Sequence, residues 1–80
     1  MRRNQALVTH IGTRLREARL NADLTQQQAA ERIGSSQVAL SLWETGKSAP
    51  STPNAFALAD AYRVSLDELL GYPAPPKEGA

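Results

Sequence analysis

The stretch that decides the fold is ERIGSSQVALSLWETGK, residues 31–47, where one glycine separates two segments of apolar helical spacing. Gly34 can adopt the positive φ that a tight turn between two helices requires. Ser35 or Ser36, directly behind it, can cap the exposed amides of the helix that follows. The stretch therefore predicts two short helices joined by a tight turn.

Capping patterns and apolar spacing place more helices on both sides of this turn. Thr25 and Gln28 match a capping box that begins the second helix, and Ser65 with Glu68 match another near the end of the chain. The predicted helices cover residues 6–22, 26–33, 36–45, 53–62 and 66–70. The predicted core residues, which lie on the inward faces of these helices, are Ile11, Leu15, Ala30, Ile33, Leu40, Trp43, Leu58 and Leu66. We therefore predict one all-α domain over residues 1–71 and a proline-rich tail over 72–80.

Composition removes several classes of protein. The chain has 80 residues, enough for one small domain, and no cysteine, which excludes disulfide frameworks and cysteine-based zinc or nucleophile sites. No apolar run is long enough to span a bilayer, and the N-terminal residues lack the pattern of a signal peptide. We expect a soluble cytoplasmic protein with no membrane partner.

Charge is unevenly distributed although the formal net charge is only +1. Seven of the nine Lys and Arg residues precede Pro50, together with four acidic residues, whereas the remainder holds two basic and four acidic residues. The first half is therefore positive and the second negative. Net charge alone does not indicate a nucleic-acid partner.

Candidate catalytic and metal-binding groups are few. Asp67 and Glu68 fall in the first turn of the last helix, where negative charge favours the helix dipole, so capping explains them. His10 is interpreted as a surface or helix-packing residue. No glycine-rich phosphate loop follows a strand. We expect no enzyme, no metal site and no cofactor.

Three segments carry a family resemblance: IGTRLREARLNADLTQQQAAERIG, LWETGKSAPS and RVSLDELLG, in this order and with no gap needed between Ile11 and Gly71. They resemble the Cro/CI-type, or XRE-like, helix-turn-helix repressors and regulators. The resemblance implies a compact five-helix bundle of the lambda-repressor-like DNA-binding type. It also implies a dimeric transcriptional regulator, expected to be a repressor, that binds an inverted-repeat operator in double-stranded DNA with its third helix in the major groove.

The family pattern implies phosphate contacts at four positions, Arg14, Gln26, Thr45 and Lys47. Gln26 opens the second helix, whose N-terminus faces the DNA backbone in this family. With Arg14 and Lys47 as the charged contacts of each subunit, the logarithm of the binding constant of a dimer is expected to fall with the logarithm of the salt concentration with a slope of about −4. Arg2 and Arg3 are interpreted as a charged disordered terminus in preference to a minor-groove or backbone arm.

The same pattern implies base contacts along the third helix, at Ser36, Gln37, Val38, Ser41 and Leu42. Gln37 is the best candidate because a glutamine can bond N6 and N7 of adenine at once. Val38 can press on a thymine methyl group, and Ser41 can reach a base or a phosphate. Leu42 departs from the family, which commonly places a polar or basic residue there. Three roles are open for an exposed leucine at this position: contact with thymine methyls, packing against a neighbouring side chain, or a protein interface. The sequence does not decide among them.

Two buried roles are also expected in the third helix. Arg19 and Glu44 occupy positions that form an ion pair in related phage repressors, so the resemblance implies a structural pair that holds the third helix on the first. Trp43 is expected in the core rather than stacked on a base, because its spacing from Leu40 places it on the inward stripe.

Dimerisation in this family commonly uses residues near the fourth and fifth helices. Here that region contains Phe56, Tyr62, Leu66 and Leu70, which are either dimer contacts or core. An alternative function also stays open, in which an antitoxin or adaptor uses the same fold to bind a protein partner such as a toxin. Leu42, the near-neutral charge and the proline-rich tail favour this alternative.

Overall fold

The computed structural model describes residues 3–70, and every regular element within them is an α-helix. The helices are α1 Arg3–Asn21, α2 Gln26–Ile33, α3 Gln37–Glu44, α4 Thr52–Tyr62 and α5 Leu66–Leu70. The predicted five-helix, all-α fold is therefore confirmed. Within the described range no helix combines the length and the apolar character needed to cross a membrane. The predicted tail at 72–80 and Arg2 lie outside the described residues.

Three helices begin at residues other than those predicted from the sequence. Ser36 is extended, with φ −115° and ψ 154°, so it precedes α3 instead of belonging to it. Ser51 has the same role before α4, and this helix begins at Thr52 rather than at residue 53. α1 begins at Arg3 rather than at residue 6, so the prediction of a disordered terminus is wrong for Arg3.

The core lies where the inward faces of all five helices meet. Five predicted core residues are almost inaccessible to solvent, namely Leu15, Ala30, Leu40, Trp43 and Leu58. The other three, Ile11, Ile33 and Leu66, are partly buried and pack against that core. Tyr62 is also buried within it and takes the core alternative, whereas Leu66 is partly buried and packs against the core. Packing of α1 and α2 against α3 fixes which side of α3 remains outside.

The connection from α4 to α5 contains a residue in an uncommon backbone conformation. Arg63 follows α4 with φ 58° and ψ 44°, the left-handed region that glycine usually occupies. A non-glycine residue there costs about 1 kcal/mol, which the surrounding packing offsets. Ser65 Oγ then accepts a hydrogen bond from Glu68 N at 3.0 Å and begins α5, as the capping pattern predicted.

Candidate nucleic-acid interface

The turn between α2 and α3 has the local chemistry that the sequence predicts. Thr25 and Gln28 form both halves of the capping box at the start of α2. Gly34 ends α2 with φ 69° and ψ 35°, and a Cβ at this position would meet nothing within 4 Å. Gly34 is therefore required by its backbone conformation and not by crowding. The result is a helix-turn-helix unit made of α2, the turn and α3.

α3 divides sharply into a buried and an exposed face. Leu40 and Trp43 are buried against the core, which confirms the inward position of Trp43. On the other side Gln37 is exposed, and Val38 and Leu42 keep 69% and 40% of their accessible surface. An aliphatic surface of this extent on a short helix is available for contact with another molecule.

Two hydroxyl groups at the ends of α3 are already engaged in capping. Ser36 Oγ accepts from Ala39 N at 3.1 Å, which leaves its O–H donor and one acceptor lone pair for a base. Thr45 Oγ1 donates to Ser41 O at 2.7 Å, so its hydroxyl proton is used within the helix. A phosphate oxygen requires a donor, and the side chain of Thr45 has no second one. Thr45 is therefore removed from the phosphate contacts that we propose.

Gln26 stands at the start of α2, and Lys47 follows the end of α3. Gln26 opens α2, lines a shallow groove together with Gln37, and donates from Nε2 to Glu44 Oε1 at 3.1 Å. One N–H of its amide is thus fixed by Glu44, which leaves the second N–H for an acceptor outside the protein. Lys47 follows the end of α3 and is exposed, with its backbone N–H bonded to Leu42 O at 3.0 Å.

Arg14 does not lie with these residues. Its Nη2 donates to Glu68 O on α5 at 2.6 Å, so the guanidinium joins α1 to α5. Arg14 also lines a cleft together with Tyr62 and Val64, whereas Gln26 and Gln37 line a different groove. Because one N–H of the Arg14 guanidinium binds a backbone carbonyl on α5, we leave Arg14 out of the phosphate contacts that we propose.

Arg19 of α1 and Glu44 of α3 form a buried ion pair. Arg19 Nε lies 2.7 Å from Glu44 Oε2, and Nη2 lies 3.0 Å from Oε1. Arg19 Nη1 also donates to Leu24 O at 2.8 Å, before α2 begins. The hydrogen bond to Glu44 raises the pKa of Arg19, while burial acts in the opposite direction. The pair ties together α1, the chain segment before α2, and the end of α3.

Two further supports of α3 were not assigned from the sequence. A Cβ on Gly12 would lie 2.5 Å from Trp43 O and 2.9 Å from Glu44 O, so α1 approaches the end of α3 closely only because this residue is glycine. Gln5 Nε2 donates to Gly46 O at 3.0 Å and holds the turn before Lys47. Gly12 had a recognisable signal, a lone glycine within a helical pattern. Gln5 had none, because its partner is 41 residues away.

Comparison with known proteins places this unit in a family. The family model described as helix-turn-helix (HTH_3) matches residues 15–69, more than half of the chain. The HTH-type transcriptional regulator ImmR of Bacillus subtilis (strain 168) is 41% identical over 61 residues, which are 76% of this chain and 48% of ImmR. The chain spans between 28% and 54% of the length of the curated relatives that it matches.

Two solved structures are similar to this chain in both sequence and fold. The P22 c2 repressor, determined in complex with a synthetic operator, is 34% identical with a TM-score of 0.69, and the match covers 74% of this chain and 89% of that one. The restriction-modification controller protein C.AhdI of Aeromonas hydrophila is 31% identical with a TM-score of 0.76, over 80% of this chain and 97% of that one. The fold is thus of the lambda-repressor-like type, and the chain belongs to the Cro/CI-type, or XRE-like, helix-turn-helix family of transcriptional regulators.

Proposed function

We propose that this chain binds double-stranded DNA as a transcriptional regulator, with α3 in the major groove and with repression as the outcome. A major groove about 12 Å wide admits a helix whose exposed face carries base-reading side chains. The proposal places this action in the cytoplasm and requires no catalysis. The similarity to the P22 c2 repressor, solved with an operator, supports it.

One observation carries the proposal. The exposed face of α3 presents Gln37, Val38 and Leu42 together, while its opposite face is held by buried packing and by the Arg19–Glu44 ion pair. A reading helix must be rigid relative to the residues that bind the DNA backbone, because register on the duplex is set by those contacts. Here the same carboxylate, Glu44, binds both Arg19 and Gln26.

The proposed base contacts are Ser36, Gln37, Val38, Ser41 and Leu42. Gln37 is the first residue of α3 and is exposed, so its amide is free to turn toward an adenine edge. Ser41 is half-buried and reaches outward less far than its neighbours. Gln26 and Lys47 are the proposed phosphate contacts, the first at the start of α2 and the second just after α3.

A homodimer on an inverted repeat is the second part of the proposal. One charged phosphate contact, Lys47, is a weak anchor for a single domain, and two domains on half-sites about one helical turn apart double the contacts. Among the four residues named for dimerisation, Phe56 keeps 56% of its surface exposed, whereas Tyr62 is buried and Leu66 packs against the core. Phe56 is therefore the proposed centre of the dimer surface.

The test is selection of bound sequences from random duplex DNA by the purified protein at moderate salt. The winning duplex is then titrated against a scrambled duplex of the same composition. We expect an inverted repeat that is bound at least about a thousandfold more tightly than the scrambled sequence. A single half-site with one protein per duplex would overturn the dimer, and equal affinity for all duplexes would overturn sequence-specific binding.

A protein partner is the alternative function, as in an antitoxin or an adaptor. The observation that favours it is the exposure of Val38 and Leu42, since an apolar surface also suits a protein interface. Co-purification with a small partner that competes with the selected duplex would support this alternative. Loss of that partner after Leu42→Ala, with DNA binding unchanged, would assign the surface to protein and not to DNA.

A further inference from the structure

A cleft of about 340 Å³ lies between α1, the end of α4 and α5. Its lining includes Arg14 and Ala18 of α1, Tyr62 at the end of α4, and Glu68 of α5. Its volume lies at the lower end of the range of about 300–1,000 Å³ that is usual for small-molecule sites. We call it the α1–α5 cleft. It shares no lining residue with the groove beside Gln37, so a ligand here does not compete for the proposed DNA contacts.

Two buried polar atoms on the lining residues have no hydrogen-bond partner among the described residues, namely Nε of Arg14 and the hydroxyl oxygen of Tyr62. Arg14 donates from Nη2 to Glu68 O at 2.6 Å, which holds the guanidinium while its Nε–H stays unpaired. Burial raises the pKa of Tyr62 to about 12, so the hydroxyl keeps its proton at neutral pH and can donate. Buried polar groups are almost always paired in folded proteins. Two unpaired donors at one cleft therefore indicate an acceptor from outside the chain.

The inner and outer parts of the cleft differ in charge. Tyr62 is buried and Arg14 is half-buried, and together they offer a positive charge and two donors, which complement a carboxylate. Glu17, Asn21 and Glu68 line the cleft with exposed side chains. Two of these are carboxylates, so the outer part favours a cation such as an ammonium group. A ligand that matches both parts carries an anionic and a cationic group.

The wall between these charges is aliphatic and made of small side chains. Ala18, Ala22 and Val64 are half-buried and line the cleft. Apolar surface of this kind suits a short carbon chain, because methylene groups gain free energy when they leave water. A simple carboxylate would be repelled by the outer acidic residues, and a simple amine would leave the inner donors unpaired.

We infer that the α1–α5 cleft binds a small aliphatic amino acid in its zwitterionic form. The carboxylate of the ligand faces Arg14 and Tyr62, and its ammonium group faces Glu17 and Glu68. This site lies beyond the proposed DNA-binding function and does not depend on it.

The experiment titrates the full chain, without DNA, with alanine and with β-alanine while backbone amide shifts are followed by NMR. Saturable shifts are expected at Ala18, Ala22 and Val64, with a dissociation constant of about 1 mM or lower. Propanoate and ethylamine each carry one of the two charged groups. Both are expected to bind at least about tenfold more weakly, because each leaves one part of the cleft without its partner.

Two variants assign the binding to the cleft. Tyr62→Phe removes only the hydroxyl and is expected to weaken binding about tenfold, since it removes a hydrogen bond to a charged group. Glu17→Gln is expected to weaken binding about threefold, as for an exposed charge pair. Glu31→Gln is the matched control, because Glu31 is an exposed glutamate of α2 outside the cleft. It is expected to leave the affinity unchanged.

The outcomes are distinct from those that test DNA binding. The absence of a saturable shift with either amino acid would overturn the site and leave a cleft that holds solvent alone. Equal affinity for alanine and propanoate, or for alanine and ethylamine, would overturn the zwitterionic ligand. Binding that Tyr62→Phe leaves unchanged would overturn the assignment to this cleft.

Discussion

The carboxylate of Glu44, at the end of α3, is bound on one side by Arg19 of α1 at 2.7 and 3.0 Å and on the other by Gln26 of α2 at 3.1 Å. Arg19 and Glu44 keep only 8% and 9% of their accessible surface. Three helices are thus joined through one side chain. The position of α3 relative to the start of α2 depends on this carboxylate.

Removal of one partner of this pair is expected to be costly. Arg19→Met or Glu44→Leu alone strands a buried charge and should lower the free energy of unfolding by about 3–5 kcal/mol. The double variant Arg19→Met/Glu44→Leu removes both charges and should recover most of that loss. Urea unfolding of the four proteins provides the measurement. Single variants within about 0.5 kcal/mol of the parent would show that the pair is dispensable.

The close approach of α1 to α3 at Gly12 gives a second prediction. Gly12→Ala adds a methyl 2.5 Å from Trp43 O, a backbone atom that cannot move without α3. Although alanine favours a helix by about 1 kcal/mol, the clash should produce a net loss of about 1–3 kcal/mol in unfolding free energy.

Gly34→Ala is the matched control for Gly12→Ala. Its Cβ would meet nothing within 4 Å, and the substitution costs only the strain of φ 69° on a residue with a side chain, about 1 kcal/mol. Thermal unfolding of the two variants compares the loss of stability caused by crowding with the loss caused by backbone strain. A Gly12→Ala protein as stable as the parent would contradict the packing of α1 against α3.

The sequence specified much of the local structure because short-range chemistry decides it. The capping box of Thr25 and Gln28 and the left-handed glycine at Gly34 depend on residues within one turn. The ion pair of Arg19 and Glu44, which the family resemblance implied, is present in the structure.

The backbone acceptors that bind the side chains of Arg14 and Thr45 were less accessible to sequence reasoning. Arg14 has the charge and the position in the chain of a phosphate contact, yet its direction around the helix axis brings it to Glu68 O, 54 residues away. Thr45 has a hydroxyl suited to phosphate, yet that hydroxyl bonds the carbonyl of Ser41, four residues earlier. Both are cases in which a backbone acceptor competes with the external ligand.

Tyr62 provides a prediction on pH dependence. Burial raises the pKa of Tyr62 to about 12, with the negative charge of Glu44 adding to the shift and Arg19 opposing it. The folded state then holds the phenol proton more tightly than the unfolded chain, whose tyrosine has a pKa of about 10. Stability is therefore present in full below pH 10 and declines as the pH rises toward 12, by about 1.4 kcal/mol at pH 11.

Tyr62→Phe tests this contribution, because it removes the titrating group and keeps the ring. Between pH 9 and 11 the free energy of unfolding of the variant should decline less than that of the parent, by the part that Tyr62 causes. At pH 7 the two proteins should be about equally stable, because the Tyr62 hydroxyl has no hydrogen-bond partner among the described residues. Parallel urea-unfolding curves for Tyr62→Phe and the parent at every pH would contradict the shifted pKa.

Salt dependence distinguishes Lys47 from Arg14. With Lys47 as the charged phosphate contact of each subunit, a dimer on its operator should give a log-log slope of about −2, less steep than the value of about −4 that includes Arg14. Lys47→Ala should flatten the slope by about one unit per subunit. Arg14→Ala should leave the slope unchanged and lower the unfolding free energy by about 1 kcal/mol, because it breaks the bond to Glu68 O. If Arg14→Ala changed the slope and Lys47→Ala did not, Arg14 would be the phosphate contact, as the sequence predicts.

Gln37 is expected to provide base discrimination, since it is exposed at the first position of α3. Gln37→Ala should lose about 1–3 kcal/mol of binding free energy on the selected operator and little on scrambled DNA, because a bidentate contact to adenine exists only on the correct sequence. Gln27→Ala changes an exposed glutamine of α2 and should leave the ratio of the two affinities unchanged. Equal losses on both duplexes for Gln37→Ala would make Gln37 a contact to the backbone, and specificity would then rest on Val38, Leu42 and DNA shape.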